Sequence, residues 1–411
     1  MRLLILLFAA LTLFTACGKK QVDETALTVH HLTSPAPENS SLPNLFADKN
    51  GKLYLSWVEN IDTTGHALFF SVNENGAWSP PQKIAEGNDW FVNWADFPMM
   101  TVFGKNSLAA HFLAKSGEDT YAYDVNLTIS NDGGKTWSAP IIPHNDSTET
   151  EHGFVSMLPY SNEQLFVMWL DGRNFAQAES GHDSHGHGSS DAEMTLRYAI
   201  LDNSGSIVND GEIDNRVCDC CQTDAVLTSN GILAAYRDRS PEEVRDISFA
   251  TFESGIWSSP RTLYDDNWEI NGCPVNGPAI AAHDNRVAAA WFTMADDSAK
   301  VKFIASEDGG KTFGAPIRID NGNPLGRTDV VLLDNGEALA CWIEQVDEEA
   351  EILVRKISAD GVAGPAITVS KTAASRASGF PKMARRGDEI YIAWTKTDKP
   401  TRVRLAKFQM Q

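Results

Sequence analysis

One short phrase recurs seven times and dictates what this chain can become. Tyr54-Leu55-Ser56-Trp57 is echoed by Ala109-Ala110-His111, Val167-Met168-Trp169, Ala234-Ala235-Tyr236, Ala289-Ala290-Trp291, Ala340-Cys341-Trp342 and Ile392-Ala393-Trp394. The ring-bearing residues lie 51 to 67 positions apart. Several copies carry a proline about thirteen residues upstream: Pro43, Pro98, Pro278 and Pro381. Between proline and phrase lie an apolar run and a turn such as Asp48-Lys49-Asn50-Gly51 or Asp334-Asn335-Gly336. Strand, tight turn, strand is the reading. A third strand follows each phrase. A fourth closes most units, at Gln82-Lys83-Ile84, Pro140-Ile141-Ile142, Arg261-Thr262-Leu263, Ile317-Arg318-Ile319 and Ile367-Thr368-Val369. A unit this short cannot bury both faces of its own sheet, so copies must stack.

Two third-to-fourth-strand turns carry a motif. Ser130-Asn131-Asp132-Gly133-Gly134-Lys135-Thr136-Trp137 and Ser306-Glu307-Asp308-Gly309-Gly310-Lys311-Thr312-Phe313 both resemble the Asp-box, Ser-x-Asp-x-Gly-x-Thr-Trp, of the sialidase superfamily. Asn75-Gly76-Ala77-Trp78 and Ser254-Gly255-Ile256-Trp257 look like worn copies. The Asp accepts turn amides, glycine admits positive φ, and the aromatic packs between sheets. The motif is a folding device and says nothing of catalysis. The expected fold is an all-β propeller of four-stranded blades, seven by the repeat count. Six, the number usual in sialidases, is the alternative. Leu27-Thr28-Val29-His30-His31 is expected to add the outer strand to the last blade and close the ring.

The chain opens with Arg2, an uncharged run from Leu3 to Thr15, and Phe14-Thr15-Ala16-Cys17. That run is too short to span a bilayer. The small residues before Cys17 resemble the lipobox of bacterial lipoproteins. The resemblance implies a signal peptide over 1–16, a lipid on Cys17, a linker over 17–25, and one propeller domain over 26–408. Gly18 after the cysteine points to the outer membrane in that family. The formal charge of −21 argues against nucleic acid and suits cationic ligands.

Six cysteines occur; with Cys17 lipidated an odd number remains. Arg216-Val217-Cys218-Asp219-Cys220-Cys221 enters blade 4, and Asn271-Gly272-Cys273-Pro274 is the matching loop of blade 5. An insertion in blade 3, Gly181-His182-Asp183-Ser184-His185-Gly186-His187-Gly188, borders blade 4. Cys218, Cys220, Cys221 and Cys273 with His182, His185 and His187 are expected on the channel rim as a soft-metal site for copper(I) or zinc. The alternative is a staple from Cys218 or Cys220 to Cys273. Cys341 fits a buried small-residue column.

Other readings attach to the channel. His111 reads as packed, and His152 as able to face the channel. Trp90 and Trp268 are either sugar-stacking platforms or loop packing. Sialidase chemistry needs three arginines on a carboxylate, a Tyr nucleophile with a Glu, and an Asp acid. Ser41 stands where the family has its first arginine, and Tyr391 lies within a strand. The catalytic candidates are Arg173, Arg237, Asp238, Arg327 and Arg376. The four arginines of this set and Arg245 are expected to be able to reach the channel, with Asp171, Asp238 and Asp246 equally readable as their structural ion partners. A different carboxylate pair would come from Asp96, Asp224, Asp329 and Glu344. The expected function is therefore a lipid-anchored propeller with a Cys/His-rich metal site and no complete sialidase set. An exo-sialidase or other glycoside hydrolase acting on glycans, and a disulfide-stapled scaffold binding protein or glycan, are the alternatives.

Overall fold

The computed structural model describes residues 27–161, 163–177 and 192–409. They form seven antiparallel sheets arranged as the blades of a ring. Blade 1 comprises Ser40–Ala47, Leu53–Asn60, His66–Glu74 and Gln82–Gly87. Blade 2 has Met100–Val102, Leu108–Lys115 and Tyr123–Ser130. Its fourth strand shrinks to one bridge, Leu127 to Ile141. Blade 3 is His152–Ser161, Gln164–Asp171, Thr195–Asp202 and Ile207–Asp214. Blade 4 is Asp224–Thr228, Gly231–Arg237, Ile247–Glu253 and the short Arg261–Thr262. Blade 5 is Ala279–His283, Arg286–Thr293, Lys300–Ser306 and Ile317–Arg318. Blade 6 is Pro324–Leu332, Ala338–Val346, Glu349–Ile357 and Ala363–Thr372. Blade 7 is Lys382–Arg386, Glu389–Lys396 and Arg402–Gln409, and its fourth strand is His30–Leu32.

The count is seven, as the repeat predicts, and the N-terminal segment closes the ring as expected, but through His30–Leu32 rather than 27–31, with 27–29 in no strand. His30 pairs with Lys407 and Leu32 with Leu405. Blades 1 and 7 then share one core of Leu45, Leu53, Trp57, Tyr391, Ala393 and Leu405. Among the described residues no helix is long and apolar enough to cross a membrane.

The repeated phrases are the second strands. A strand buried on both faces reads as an apolar run, and Ala338–Glu344 is buried throughout. Outer strands meet solvent; Ile207–Asp214 is polar and mostly exposed. The column tryptophans Trp57, Trp169, Trp291, Trp342 and Trp394 are all at most 2% exposed. Three of them donate their indole N–H to an acid two residues on: Trp57 to Glu59 at 2.7 Å, Trp169 to Asp171 at 2.7 Å, Trp342 to Glu344 at 2.6 Å. That satisfies the one polar atom of each ring.

The two motif turns close on themselves. Asp132 Oδ1 accepts the amides of Lys135 and Thr136 at 3.0 and 2.9 Å, and Ser130 Oγ accepts that of Gly134 at 2.8 Å. Asp308, Thr312, Ser306 and Gly310 repeat the pattern. Trp137 then meets Phe70 of blade 1 edge-on at 6.1 Å, and Phe313 meets Phe249 of blade 4 at 5.2 Å.

Candidate functional site

The connectors that enter each first strand gather at one mouth of the channel. There the strands are laced by side chains that accept amides from the next blade. Asp96 accepts from Phe154 N at 2.8 Å, Asp224 from Ile280 N at 2.8 Å, and Asp329 from Met383 N at 2.5 Å. Glu344 accepts from the Trp342 indole and from the amides of Asn321 and Asn323. The four acids considered for a hydrolytic pair are thus structural acceptors. Burial pushes Asp96 and Asp224 up to about 7. Gln222 spans the mouth: its Nε2 donates to Ala95 O of the blade 2 connector at 2.7 Å, and its Oε1 accepts from Gly277 N of blade 5 at 3.1 Å.

The four cysteines converge beside it. Cys220 and Cys273 are joined as a disulfide with Cα atoms 6.0 Å apart, so they tie the blade 4 and blade 5 connectors and offer no thiolates in this state. Cys218 and Cys221 are buried and free, with their sulfurs 3.4 Å apart. Arg245 Nη1 donates to Cys218 Sγ at 3.3 Å, and Glu243 holds that guanidinium at 2.8 Å. Burial alone would raise the Cys218 thiol, but the hydrogen bond from Cys221 and the Arg245 charge bring it below the usual thiol range. Burial and the neighbouring thiolate drive Cys221 the other way. Cys341 is buried in the small-residue column. His182, His185, His187 and Cys17 lie outside the described residues.

Most candidate arginines are engaged by the protein. Arg173 grips Asp171 through Nε and Nη2, both at 2.7 Å. Arg237, 2% exposed, donates to the carbonyls of Asn276, Arg245 and Phe292 and lies over Trp268. Asp238 accepts from Ser248 Oγ and Arg239 N. These hydrogen bonds tie all three side chains into the protein. Tyr391 donates to Glu389, which also pairs with Arg386 next to the Asp388 turn, at the mouth remote from the cysteines. His111 is packed with no exposure, and its Nδ1 accepts from Met99 N at 3.3 Å. His152 does not face the channel; it is fully buried between blades 2 and 3. Trp90 stacks on Phe112 at 4.5 Å and Trp268 meets Phe292 edge-on, so both pack loops.

Arg327 and Arg376 differ. Arg376 is exposed on the connector into blade 7, while Arg327 is 6% exposed at an irregularity in the first strand of blade 6. Their guanidinium carbons lie 4.9 and 5.8 Å from the ring centre of half-buried Trp94, a residue of the blade 2 connector. Phe380 stacks against the same indole at 5.8 Å. Arg327 Nη1 donates to Ser375 O at 3.1 Å and to Ser378 Oγ. Among the described residues neither arginine has a carboxylate within ion-pair distance. Burial and then the Arg376 charge lower Arg327 to about 10. Arg327 also holds φ at +58°, a conformation that costs a non-glycine residue roughly 1–2 kcal/mol. The sequence offered no sign that Trp94 would meet this pair; only closure of the ring brings them together.

A groove of 460 Å³ opens on the opposite face between blades 1 and 2, lined by Tyr54, Trp78, Lys105 and Gly133. Of its three charged residues, Lys52 and Glu74 pair with each other at 2.6 Å.

No family model matches the sequence, and no curated protein does. Solved structures share its fold. A polysaccharide lyase of family PL25, an ulvan lyase, superposes with a TM-score of 0.56 and 11% identity over 91% of this chain and 95% of that one. A second polysaccharide lyase gives 0.53 and 7% over 92% and 91%. A Hadza microbial sialidase gives 0.43 and 14% over 74% and 63%. The likeness is one of architecture: an all-β propeller of seven blades.

Proposed function

We propose that this chain is a carbohydrate-acting propeller of the bacterial envelope, anchored by lipid on Cys17, which takes an anionic glycan at Trp94, Arg327 and Arg376. One observation carries the reading. In a chain of formal charge −21, two arginines converge on one indole at the channel mouth with no acidic partner among the described residues. A sugar ring stacks on an indole, and a guanidinium fork suits a carboxylate or sulfate. The two structures of like fold are polysaccharide lyases, which supports the same class of ligand here. Ser41 and the position of Tyr391 argue against sialoside hydrolysis. The test is calorimetric titration with uronate-containing, sulfated, sialylated and neutral oligosaccharides, alongside assays for cleavage. Acidic oligosaccharides should bind, and Arg376→Ala and Trp94→Ala should each weaken them about tenfold or more. Equal affinity for neutral sugars, or no loss in either variant, would refute the site. Sialoside turnover lost in Arg376→Ala would establish the hydrolase instead.

A second reading rests on the free pair Cys218 and Cys221. Two buried sulfurs 3.4 Å apart, one of them accepting a hydrogen bond from Arg245, form a ligand pair for copper(I), with zinc the alternative. In this reading His182, His185 and His187 help collect the ion. Thiol counting paired with a copper(I) competition titration tests it. Wild type with the pair reduced should bind one ion, and Cys218→Ser/Cys221→Ser about a hundredfold more weakly. Equal affinity would remove the site.

A further inference from the structure

A separate cluster, sharing no residue with the cysteine group or the Trp94 site, lies at the junction of blades 2 and 3. It is built from the start of a third strand (Asp124), the connector between the blades (His144 and Asp146), and the neighbouring ends of two blade 3 strands (His152 and Asp171). The two imidazoles are stacked, with ring centres 3.8 Å apart and planes 3° from parallel. Their side chains are 3% and 0% exposed.

Asp146 organises the pair from one side. Its Oδ2 is 2.9 Å from His152 Nε2, and its Oδ1 is 3.5 Å from His144 Nδ1. A carboxylate there draws the ring protons to those two nitrogens, as partners behind metal ligands do. Asp146 is itself held by Arg173 at 3.1 Å, and Asp171 lies 3.8 Å from His152 Nε2. The other two nitrogens lie on the opposite side, toward Asp124, where each offers a lone pair once an ion displaces any proton it carries. His144 Nε2 is 3.8 Å and His152 Nδ1 3.6 Å from Asp124 Oδ1. Thr150 O, 3.2 Å from His152 Nδ1, is the competing acceptor for a proton at that nitrogen.

Two of these atoms have no hydrogen-bond partner among the described residues: His144 Nε2 and Asp124 Oδ1 are both buried and unsatisfied. A buried imidazole nitrogen 3.8 Å from a buried carboxylate oxygen, neither with a hydrogen-bond partner among the described residues, calls for something between them. All three ligand atoms lie within 4.8 Å of one another. Ligands about 2.0–2.2 Å from a tetrahedral ion sit roughly 3.4 Å apart, close to the spacings found here. Three carboxylates against one guanidinium leave the cluster net negative when both imidazoles are neutral.

We propose that Asp124, His144 and His152 form a binding site for a divalent d-block ion, zinc first, which clamps blade 2 to blade 3. Two imidazoles and one carboxylate are a zinc ligand set that leaves a fourth position for water. Asp124, 20% exposed, is the open side through which ion and water enter. To converge on one ion the rings must tilt out of their parallel stack, a soft rotation about χ2 for an imidazole.

The test uses the full chain, stripped with a chelator and titrated with cobalt(II) and then with zinc as competitor. One equivalent of cobalt should give the visible bands of a four-coordinate ion without the near-ultraviolet charge transfer of thiolate ligands. Asp124→Asn and His144→Gln should each weaken binding about tenfold or more. Cys218→Ser/Cys221→Ser, and alanine at His182, His185 and His187 together, should retain the site. Unfolding midpoints of the metal-free variants, compared with metal-free wild type, show whether the fold is intact. His144→Phe, which keeps the ring volume and removes the ligand, serves if His144→Gln fails to fold. Thiolate charge transfer, binding abolished by the triple histidine variant, or unchanged affinity in Asp124→Asn and His144→Gln would each overturn the proposal.

Discussion

Breaking the bond between Cys220 and Cys273 isolates what joins blade 4 to blade 5. The two residues are 53 apart in sequence, so the disulfide closes a loop of one blade. By the chain-entropy relation such a loop restricts the unfolded state by about 14 cal/mol/K, or about 4 kcal/mol at 25 °C. Unfolding of the roughly 370 described residues carries an entropy near 0.8 kcal/mol/K, which converts the loss to about 5 °C in the midpoint. Cys220→Ala/Cys273→Ala should therefore melt about 5 °C below wild type by calorimetry. Wild type should fall to the same midpoint in strong reductant, while the variant should not respond. Cys218→Ser/Cys221→Ser should stay within about 1 °C of wild type, because that pair closes no long loop. A midpoint unchanged by the double substitution and by reductant would refute the staple. So would an equal drop on treating Asp124→Asn protein, which lacks the blade 2–blade 3 site, with chelator alone, since the four sulfurs would then be holding an ion.

Three further outcomes follow from geometry already given. A Cβ on Gly134, at φ +90°, would sit 2.4 Å from Phe70 Cζ, whereas one on Gly133, at φ +76°, would meet nothing within 4 Å. Gly134→Ala should lose roughly 2–4 kcal/mol in urea unfolding and Gly133→Ala roughly 1 kcal/mol; equal losses would show that the turn does not press on blade 1. Burial raises Asp224 to about 7, against the lowering charge of Lys382, so its folded carboxyl binds a proton that the unfolded one releases near 4. That contribution is complete below about pH 4 and is lost as pH rises through about 7, so Asp224→Asn should flatten the fall in melting midpoint across that window; an unchanged profile would sink the assignment. Cys17→Ala should move the protein from the membrane fraction to the soluble one, and persistent sedimentation would end the lipobox reading.

Much of the ring was legible because its signal is repeated. Trp57, Trp169, Trp291, Trp342 and Trp394 recur where a strand is buried on both faces, and the strand before each follows from its turn. The outer strand of blade 3 was not read, since Ile207–Asp214 is polar, faces solvent and carries no period. Blade 2 shows the converse: Pro140-Ile141-Ile142 reads as a strand but pairs through Ile141 alone. The meeting of the cysteine loops could be placed because they enter adjacent blades, yet spacing could not choose Cys220 over Cys218 as the partner of Cys273. Arg327 and Arg376 were visible as candidates, but Trp94, which unites them, lies more than two hundred residues upstream. His144 and Asp124 were invisible for a related reason. Each is an unremarkable residue at the end of a different segment, and only packing makes them neighbours.

The seam between His30–Leu32 and Arg402–Gln409 sets an order of events. A ribosome delivers the first of these strands at the outset and the second only after about 370 further residues have emerged. Until then six blades form an open arc with a bare sheet edge at each end, and the loop to be closed is almost the whole chain. Such edges invite pairing between copies, so newly made chains at high concentration should exchange their leading strand with a neighbour more readily than finished rings do. Once closed, the same seam is the gate for opening: amides of 405–407 should exchange hydrogen ahead of those in Ala338–Val346, which sits between two other strands of one continuous segment.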